Sequence, residues 1–326
     1  MKIVFMGTPQ SAATGLGRLV DDGNEIVAVY TQPDRPSGRG KKITFSPVKE
    51  LALKNNLRVL QPTKIKTPPA LAEFKSYNAD VAVIIAYGRI LPEGFLTAFP
   101  SGAINVHFSL LPKYRGAAPV NWAIVNGETE TGVTTMKMNM GLDTGDILLQ
   151  ESIRIGPDET APELLSRLSI MGASLISRTL AEISHIQPVK QDDARASFAP
   201  ILKKEDGLID WLMSAVKIER RVRGFQPFPS SYTFHSGHRL TIWRAEPLNE
   251  VANRPAAPGT ILEATGDRLT ICCGNNSLLA IKEIQPEGKR RMSVRDFLNG
   301  GKLKVGDFLD RSEQSTIADA APSKSE

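Results

Sequence analysis

The sequence predicts an α/β fold, a doubly wound and mostly parallel sheet, followed by a small C-terminal β-barrel. Two observations carry the first part of this prediction. Short apolar runs alternate with amphipathic stretches through the first half of the chain, and residues 81–86 form an unbroken apolar run, the pattern of a strand buried on both faces. The barrel is predicted by a change of texture beyond residue 200, where short strand-like runs are separated by Gly and Asn turns. A chain of 326 residues is long enough for two domains.

Taken in order, residues 3–6 read as a strand, 11–22 as a helix and 25–30 as a second strand. Residues 47–55 are helical, with Val48, Leu51 and Ala52 on one face. A short strand at 57–60, a helix at 69–77, the apolar strand at 81–86 and a strand at 103–107 follow. This β-α-β alternation implies a Rossmann-like sheet with helices on both faces. Residues 131–139 and 146–155 read as strands of alternating polarity, and 161–183 as a long amphipathic helix closing the domain. The stretch 187–200 is polar and irregular, with Pro188 and Pro200 near its ends. It marks a linker, placed at 188–203, between a domain of residues 1–187 and a second of residues 204–311. In the second, a helix at 214–223 and strands at 232–235, 239–245, 259–264, 268–273 and 277–284 predict an OB-like barrel. Residues 312–326 are rich in Ser, Ala and acids and are expected to be disordered.

Composition narrows the function classes. Hydrophobic residues are 41% and charged residues 23% of the chain, the balance of a soluble protein. The apolar start, Met1 to Met6, breaks at Gly7-Thr8-Pro9 and is too short for a signal peptide. No later run approaches the ~20 apolar residues of a membrane span. A cytoplasmic protein is expected, and nothing demands more than a monomer. Cys272 and Cys273 are adjacent, a poor arrangement for a disulfide and no metal-ligand spacing. His185, His235 and His238 also lack metal spacing, so no metal is expected. Gly15 and Gly17 suggest a dinucleotide fingerprint, but the third glycine is missing and the pair falls inside the first helix.

Candidate chemistry begins at Ile104-Asn105-Val106-His107. Side chains two apart on a strand share a face, so Asn105 and His107 stand together. A carboxamide beside an imidazole, at the carboxyl end of a strand, suits acyl chemistry: the amide donates to an oxyanion, and the imidazole donates or shuttles a proton. Gly141-Leu142-Asp143-Thr144-Gly145-Asp146 places carboxylates in a glycine-flanked loop. A carboxylate near the imidazole would orient it and favour its charged form. The spacing alone does not choose between Asp143 and Asp146.

Asn105-Val106-His107, Ser109-Leu110-Leu111-Pro112, Arg115-Gly116-Ala117-Ala118-Pro119 and the loop from Gly141 to Asp146 together resemble the signature of the folate-dependent formyltransferases. The likeness covers essentially residues 1–311. It implies Asn105, His107 and Asp143 as the catalytic constellation and 10-formyltetrahydrofolate as formyl donor, with no metal. The folate site it implies uses Ser109, Leu110, Leu111 and Pro112, walled by Tyr87, Gly88, Ile90 and Leu91. Three positions depart from the family pattern: Phe108 replaces a residue that is usually small, Asn139 an Asp, and Phe228 a Trp. None is a member of the constellation.

The positive charge is concentrated. Residues 1–200 carry a net +2, residues 201–311 a net +5 and the tail −2. Within the first part, residues 34–49 hold five bases against Asp34. A polyanion touching this loop and the second domain would account for the distribution. The family resemblance implies that this partner is methionyl-initiator tRNA, the acceptor of the formyl group, with Arg35, Arg39, Lys41 and Lys42 at its acceptor end and bases such as Lys203, Lys204, Arg220, Arg221, Arg223 and Lys289 to Arg291 on the barrel. The alternatives are a formyltransferase acting on a small amine and a non-catalytic RNA-binding protein. Neutralising Arg39, Lys41 and Lys42 together is expected to weaken tRNA binding and to flatten its dependence on salt, because fewer counterions are released. A salt titration of binding that keeps the wild-type slope would exclude the loop.

Overall fold

A computed structural model describes residues 1–37, 42–252, 256–301 and 303–310. The chain divides into two compact units. The first holds Met1–Val120, Glu130–Ile155 and Glu163–Pro200; the second holds Asn121–Thr129, Gly156–Pro162 and the chain from Ile201 onward.

Strand β1 (Lys2–Gly7) leads into helix α1 (Gln10–Asp21) and strand β2 (Glu25–Tyr30). A short hairpin, β3 (Arg35–Ser37) and β4 (Lys42–Thr44), interrupts the alternation. Helix α2 (Pro47–Lys54) starts where Ser46 accepts the Lys49 amide and Pro47 presets the first turn. After β5 (Val59–Leu60), α3 (Pro68–Ser76) repeats that device with Thr67 and Pro68. Then come β6 (Val81–Ile85), α4 (Glu93–Leu96), β7 (Ala103–His107), β8 (Arg115–Gly116) and α5 (Pro119–Val125). They are followed by β9 (Glu130–Lys137), β10 (Ile147–Arg154), α6 (Ala161–Glu182) and β11 (Phe198–Ala199).

The main sheet has the order β10-β9-β7-β6-β1-β2-β5. Strands β5, β2, β1, β6 and β7 are parallel, and β9 and β10 add an antiparallel edge. The chain runs outward from β1 to β5, then returns to the other side of β1 with β6. The order therefore reverses between β1 and β6, and the carboxyl ends of the strands at such a reversal are the usual ligand position in these sheets. On one face, Val4, Met6, Ala82 and Ile84 join a core around Phe74, Phe95 and Phe99. Phe74 is fully buried, with Tyr30, Phe95 and Phe99 rings 5.6, 4.5 and 4.8 Å from its own. On the other face, Val106 and Phe108 abut Gly172 of α6, and Thr135 shares a 2.8 Å hydrogen bond with Thr179. Phe108 thus points away from His107, as strand alternation requires.

In the second unit, α7 (Ala215–Gly224) precedes β12 (Ser231–His235), β13 (His238–Val251), β14 (Ile261–Thr265), β15 (Arg268–Cys272), β16 (Ser277–Pro286), β17 (Met292–Ser293) and α8 (Val294–Asn299). The antiparallel order is β12-β13-β16-β15-β14, with β17 on β16. Residues 307–310 close the sheet, because Asp310 pairs with Phe234 of β12 while Phe308 pairs with Thr260 beside β14. Neither outer strand is left as an open edge. The interior is apolar, with Trp211, Ile218, Val222, Ile242, Ile261, Ile271 and Leu279 in one cluster. Cys273 belongs to it, and burial pushes its thiol up to about 12. The Cys272 side chain reaches instead to the Ala256 carbonyl.

The sequence reading needs several corrections. The strand expected at 239–245 runs on to Val251, through Pro247. Proline is tolerated because β12 pairs only as far as Ile242, so beyond it one edge of β13 has no strand partner to serve among the described residues. The stretch 187–200 is not irregular throughout, since it contains β11, which pairs with β8. Arg39 and Lys41 of the basic loop, and residues 312–326, lie outside the described residues. Among the described residues no helix is long and apolar enough to cross a membrane. Phe74→Ala is expected to cost about 3–5 kcal/mol in urea unfolding, for lost transfer energy plus a cavity. Leu212→Ala, at a position 73% exposed, should change stability by less than about 0.5 kcal/mol.

Candidate active site

Strand β7 places Asn105 opposite Met136 and His107 opposite Thr134 on β9. Both side chains face away from α6, and both are buried, at 9% and 6% exposure. The His107 Nε2 lies 2.9 Å from the Tyr114 carbonyl oxygen. A carbonyl only accepts, so Nε2 carries the proton and Nδ1 is the free edge of the ring. That edge faces the Asp143 Oδ2 at 3.7 Å. The same Oδ2 accepts the Gly116 amide at 2.8 Å, whereas Oδ1 has no partner among the described residues. Asp146 is exposed and supplies only its carbonyl, to the Lys137 amide. The structure therefore brings Asp143, and not Asp146, beside the imidazole.

The Asn105 carboxamide has no hydrogen-bond partner among the described residues. A nearly buried amide left open in this way retains both donors for a group that enters the site. The loop beyond β7 is held by hydrogen bonds of its own and to β9 and β10. Ser109 is fully buried and donates to the Lys113 carbonyl, closing a turn. Thr134 donates to the Ser109 carbonyl and accepts from the Leu111 amide and from Gln150. Leu111 is buried, while Leu110 and Pro112 are half-buried.

The loop after β6 is tied to the ends of β1 and β2. Thr8 and Gln32 both donate to the Tyr87 carbonyl, at 3.3 and 2.9 Å, and Arg89 donates to Gln32. The Tyr87 and Leu91 side chains pack into the core, and burial raises the Tyr87 hydroxyl above its ordinary range. Gly88 and Ile90 are exposed in that loop, Ile90 at 76%. At the basic loop, Arg35 begins β3 opposite Thr44, and Lys42 begins β4 opposite Ser37. Lys49 does not belong to a free basic patch: it is bonded to Asp34 and Gln61, and the hydrogen bonds that Lys49 and Gln61 each donate to Asp34 hold its carboxyl below the usual range. On the barrel, Arg221, Arg223 and Arg291 are also engaged, by the Asp206 carbonyl, Glu219 and Glu283 respectively, while Lys203, Lys204, Lys289 and Arg290 are exposed.

Sequence reasoning missed the supports of Asp143. Gln191 is buried and bonded to the loop backbone, Arg115 is buried against Gln191 and Asp193, and Asn139 accepts from Gly141 and Thr144. Arg115 stood within a quoted motif, but Gln191 lies in a polar stretch with no periodic signal. Two clefts elsewhere, of ≈ 530 Å³ among α1, α2 and α6 and ≈ 570 Å³ beside β13 and α8, include none of Asn105, His107 and Asp143. Among the described residues no cluster of His, Cys, Asp or Glu could hold a metal ion.

A Rossmann-like sheet that ends in an open carboxamide, an imidazole and a carboxylate, joined to a closed barrel, defines a class, and the chain belongs to the formyl transferase family. The family profile "Formyl transferase" matches residues 1–180, and "Formyl transferase, C-terminal domain" matches residues 201–302. The chain is 50% identical over 312 residues to the methionyl-tRNA formyltransferase of Caldanaerobacter subterraneus subsp. tengcongensis, covering 95% of this chain and 100% of that protein. It is 47% identical over 308 residues to the methionyl-tRNA formyltransferase of Geobacter metallireducens, covering 94% and 97%. Two solved structures share the fold. One is an N-formyltransferase from Helicobacter canadensis in complex with folinic acid and dTDP-3-aminofucose (TM-score 0.64, 20% identity, 88% of this chain and 99% of that one). The other is HypX from Aquifex aeolicus in complex with tetrahydrofolic acid (TM-score 0.62, 16% identity, 95% and 50%).

The two acids of this loop separate experimentally. Asp143→Asn, which keeps the shape and removes the charge beside His107, is expected to lower formyl-transfer turnover by about a hundredfold or more. Asp146→Asn should stay within about threefold of wild type. Equal losses in a steady-state assay would refute the distinction.

Proposed function

We propose that the chain transfers the formyl group of 10-formyltetrahydrofolate to the α-amino group of methionyl-initiator tRNA, giving formylmethionyl-tRNA for translation initiation in the cytoplasm. The observation that carries this reading is the open Asn105 carboxamide beside the His107–Asp143 pair, in a chain half-identical over nearly its whole length to a methionyl-tRNA formyltransferase. The catalytic work belongs to the unit read as residues 1–187, and residues 204–311 supply a second surface for tRNA. Arg35, Arg39, Lys41 and Lys42 lie on the loop that meets the acceptor end.

The amine attacks the formyl carbon, and a new N–C bond forms as the carbonyl becomes a tetrahedral oxyanion. The Asn105 amide donates to that oxygen, and so does His107 through Nδ1 when the ring is protonated. Asp143 has one oxygen fixed by the Gly116 amide and the other open. It orients His107 and takes the proton lost by the attacking nitrogen. Return of that proton, through a water, to the folate nitrogen accompanies cleavage of the old N–C bond. The folate ring lies against Leu110, Leu111 and Pro112 on one side and against the loop of Tyr87, Gly88, Ile90 and Leu91 on the other. Ser109, Tyr87 and Leu91 serve by shaping these walls, because their side chains are already engaged in the turn or in the core.

The purified protein should formylate methionyl-tRNA and leave free methionine unmodified when given the formyl donor. Asn105→Ala should lose about a hundredfold or more in turnover, with the fold intact by circular dichroism. Efficient formylation of a small amine in place of the tRNA would favour the small-substrate alternative. Near-wild-type turnover of Asn105→Ala would remove that residue from the mechanism.

A further inference from the structure

Gln191 lies outside the motifs that carry the family resemblance, yet it is 6% exposed and both polar atoms of its side chain are engaged. Its Nε2 donates to the Asp143 carbonyl at 2.8 Å and to the Gly145 carbonyl at 2.7 Å. Its Oε1 accepts from the Arg115 Nε at 3.0 Å. Arg115, itself 4% exposed, continues to the Asp193 carboxylate at 2.8 Å, and the next residue, Gly116, donates its amide to the Asp143 Oδ2. One carboxamide thus grips the backbone on both sides of Thr144, and the residue that anchors that carboxamide leads directly to the amide that aims the carboxylate.

The loop needs such a grip. Asp143 has φ of 52°, in the left-handed region that residues with a β-carbon rarely adopt unaided. Gly145 has no room to adjust, because a β-carbon there would lie 1.6 Å from the Lys137 carbonyl oxygen. Glutamine also fits the position chemically. Two carbonyl oxygens require donors and the guanidinium requires an acceptor, a demand that a primary amide meets and a carboxylate does not.

We propose that Gln191 is a positioning residue for formyl transfer: it holds the backbone of residues 143–145 so that the Asp143 carboxylate stays beside His107. It acts on the reaction only through Asp143, and the inference rests on the role given to Asp143 above. Two variants test it in the full-length protein. Gln191→Met keeps the packing volume and removes every hydrogen bond, whereas Gln191→Glu keeps the acceptor for Arg115 and removes both donors. Each should lower kcat by between about ten- and a hundredfold, as expected for a displaced catalytic group, with KM for donor and for tRNA within about twofold. Deuterium uptake of a peptide spanning residues 141–146 should rise in each. In an Asp143→Asn background the Gln191 substitutions should have no further effect on kcat.

Unchanged uptake or unchanged kcat in whichever variant folds overturns the proposal. So does a loss of kcat that persists in full in the Asp143→Asn background, which would show that Gln191 acts by another route. Raised uptake at 141–146 together with wild-type turnover of Asp143→Asn has a separate meaning. In that case the grip exists but Asp143 is not the group that matters, and the mechanistic reading falls together with the inference.

Discussion

Burying an imidazole, a carboxamide and a carboxylate within one site imposes a strict condition: each polar atom must be bonded or be kept open for a ligand. The first unit meets it largely with backbone. Tyr114 offers its carbonyl to His107, Gly116 its amide to Asp143, and the Leu111 amide and Ser109 carbonyl both meet Thr134. Main-chain groups cannot rotate away, so they fix a side chain more firmly than surface partners would. What is left open is then specific. In the proposed mechanism the Asn105 amide, one oxygen of Asp143 and the Nδ1 edge of His107 are the groups that act on the acyl carbon, held in advance as catalysis of that kind requires.

The cost of this arrangement appears in the loops. Tyr114 and Asp143 both have positive φ, at 60° and 52°, and Ala86 at the end of β6 has φ of 45°. Three residues with β-carbons in the left-handed region, in the connections that follow β6, β7 and β9, mark where the surrounding structure overrides local preference. Gly116 has φ of 124°, and a β-carbon there would come within 2.6 Å of the Ala199 carbonyl. Its lack of a side chain lets β8 and β11 pair while its amide reaches Asp143.

Much of this was legible in the sequence. The elements of the doubly wound sheet announce themselves because buried parallel strands are continuous apolar runs, and the capped helices because Ser46-Pro47 and Thr67-Pro68 are start signals. Pairing Asn105 with His107 required only the two-residue period of a strand. Asp143 could not be preferred over Asp146 on the same grounds, since a glycine-flanked loop has no period; the backbone turn at Asp143 decides it. Gln191 was invisible for a different reason. Its role depends on contacts with chain segments 46 to 76 residues away in sequence, and a polar residue in a polar stretch gives no local sign of being buried. The closure of the barrel by residues 307–310 is hidden in the same way, because an isolated bridge on each side needs no strand-forming run.

The pairing of β11 with β8 also bears on how such proteins can be recombined. Residues between two compact units are commonly exchanged or lengthened as spacers, on the assumption that only their reach matters. Here the stretch from Gln191 to Ala199 works as a ruler with both ends fixed, one against the Asp143 loop and the other against Arg115 and Gly116. An insertion within it would pull one mark off its place. A chimaera that takes its barrel from a relative would therefore keep this chain's own residues through Pro200 and make the junction after them.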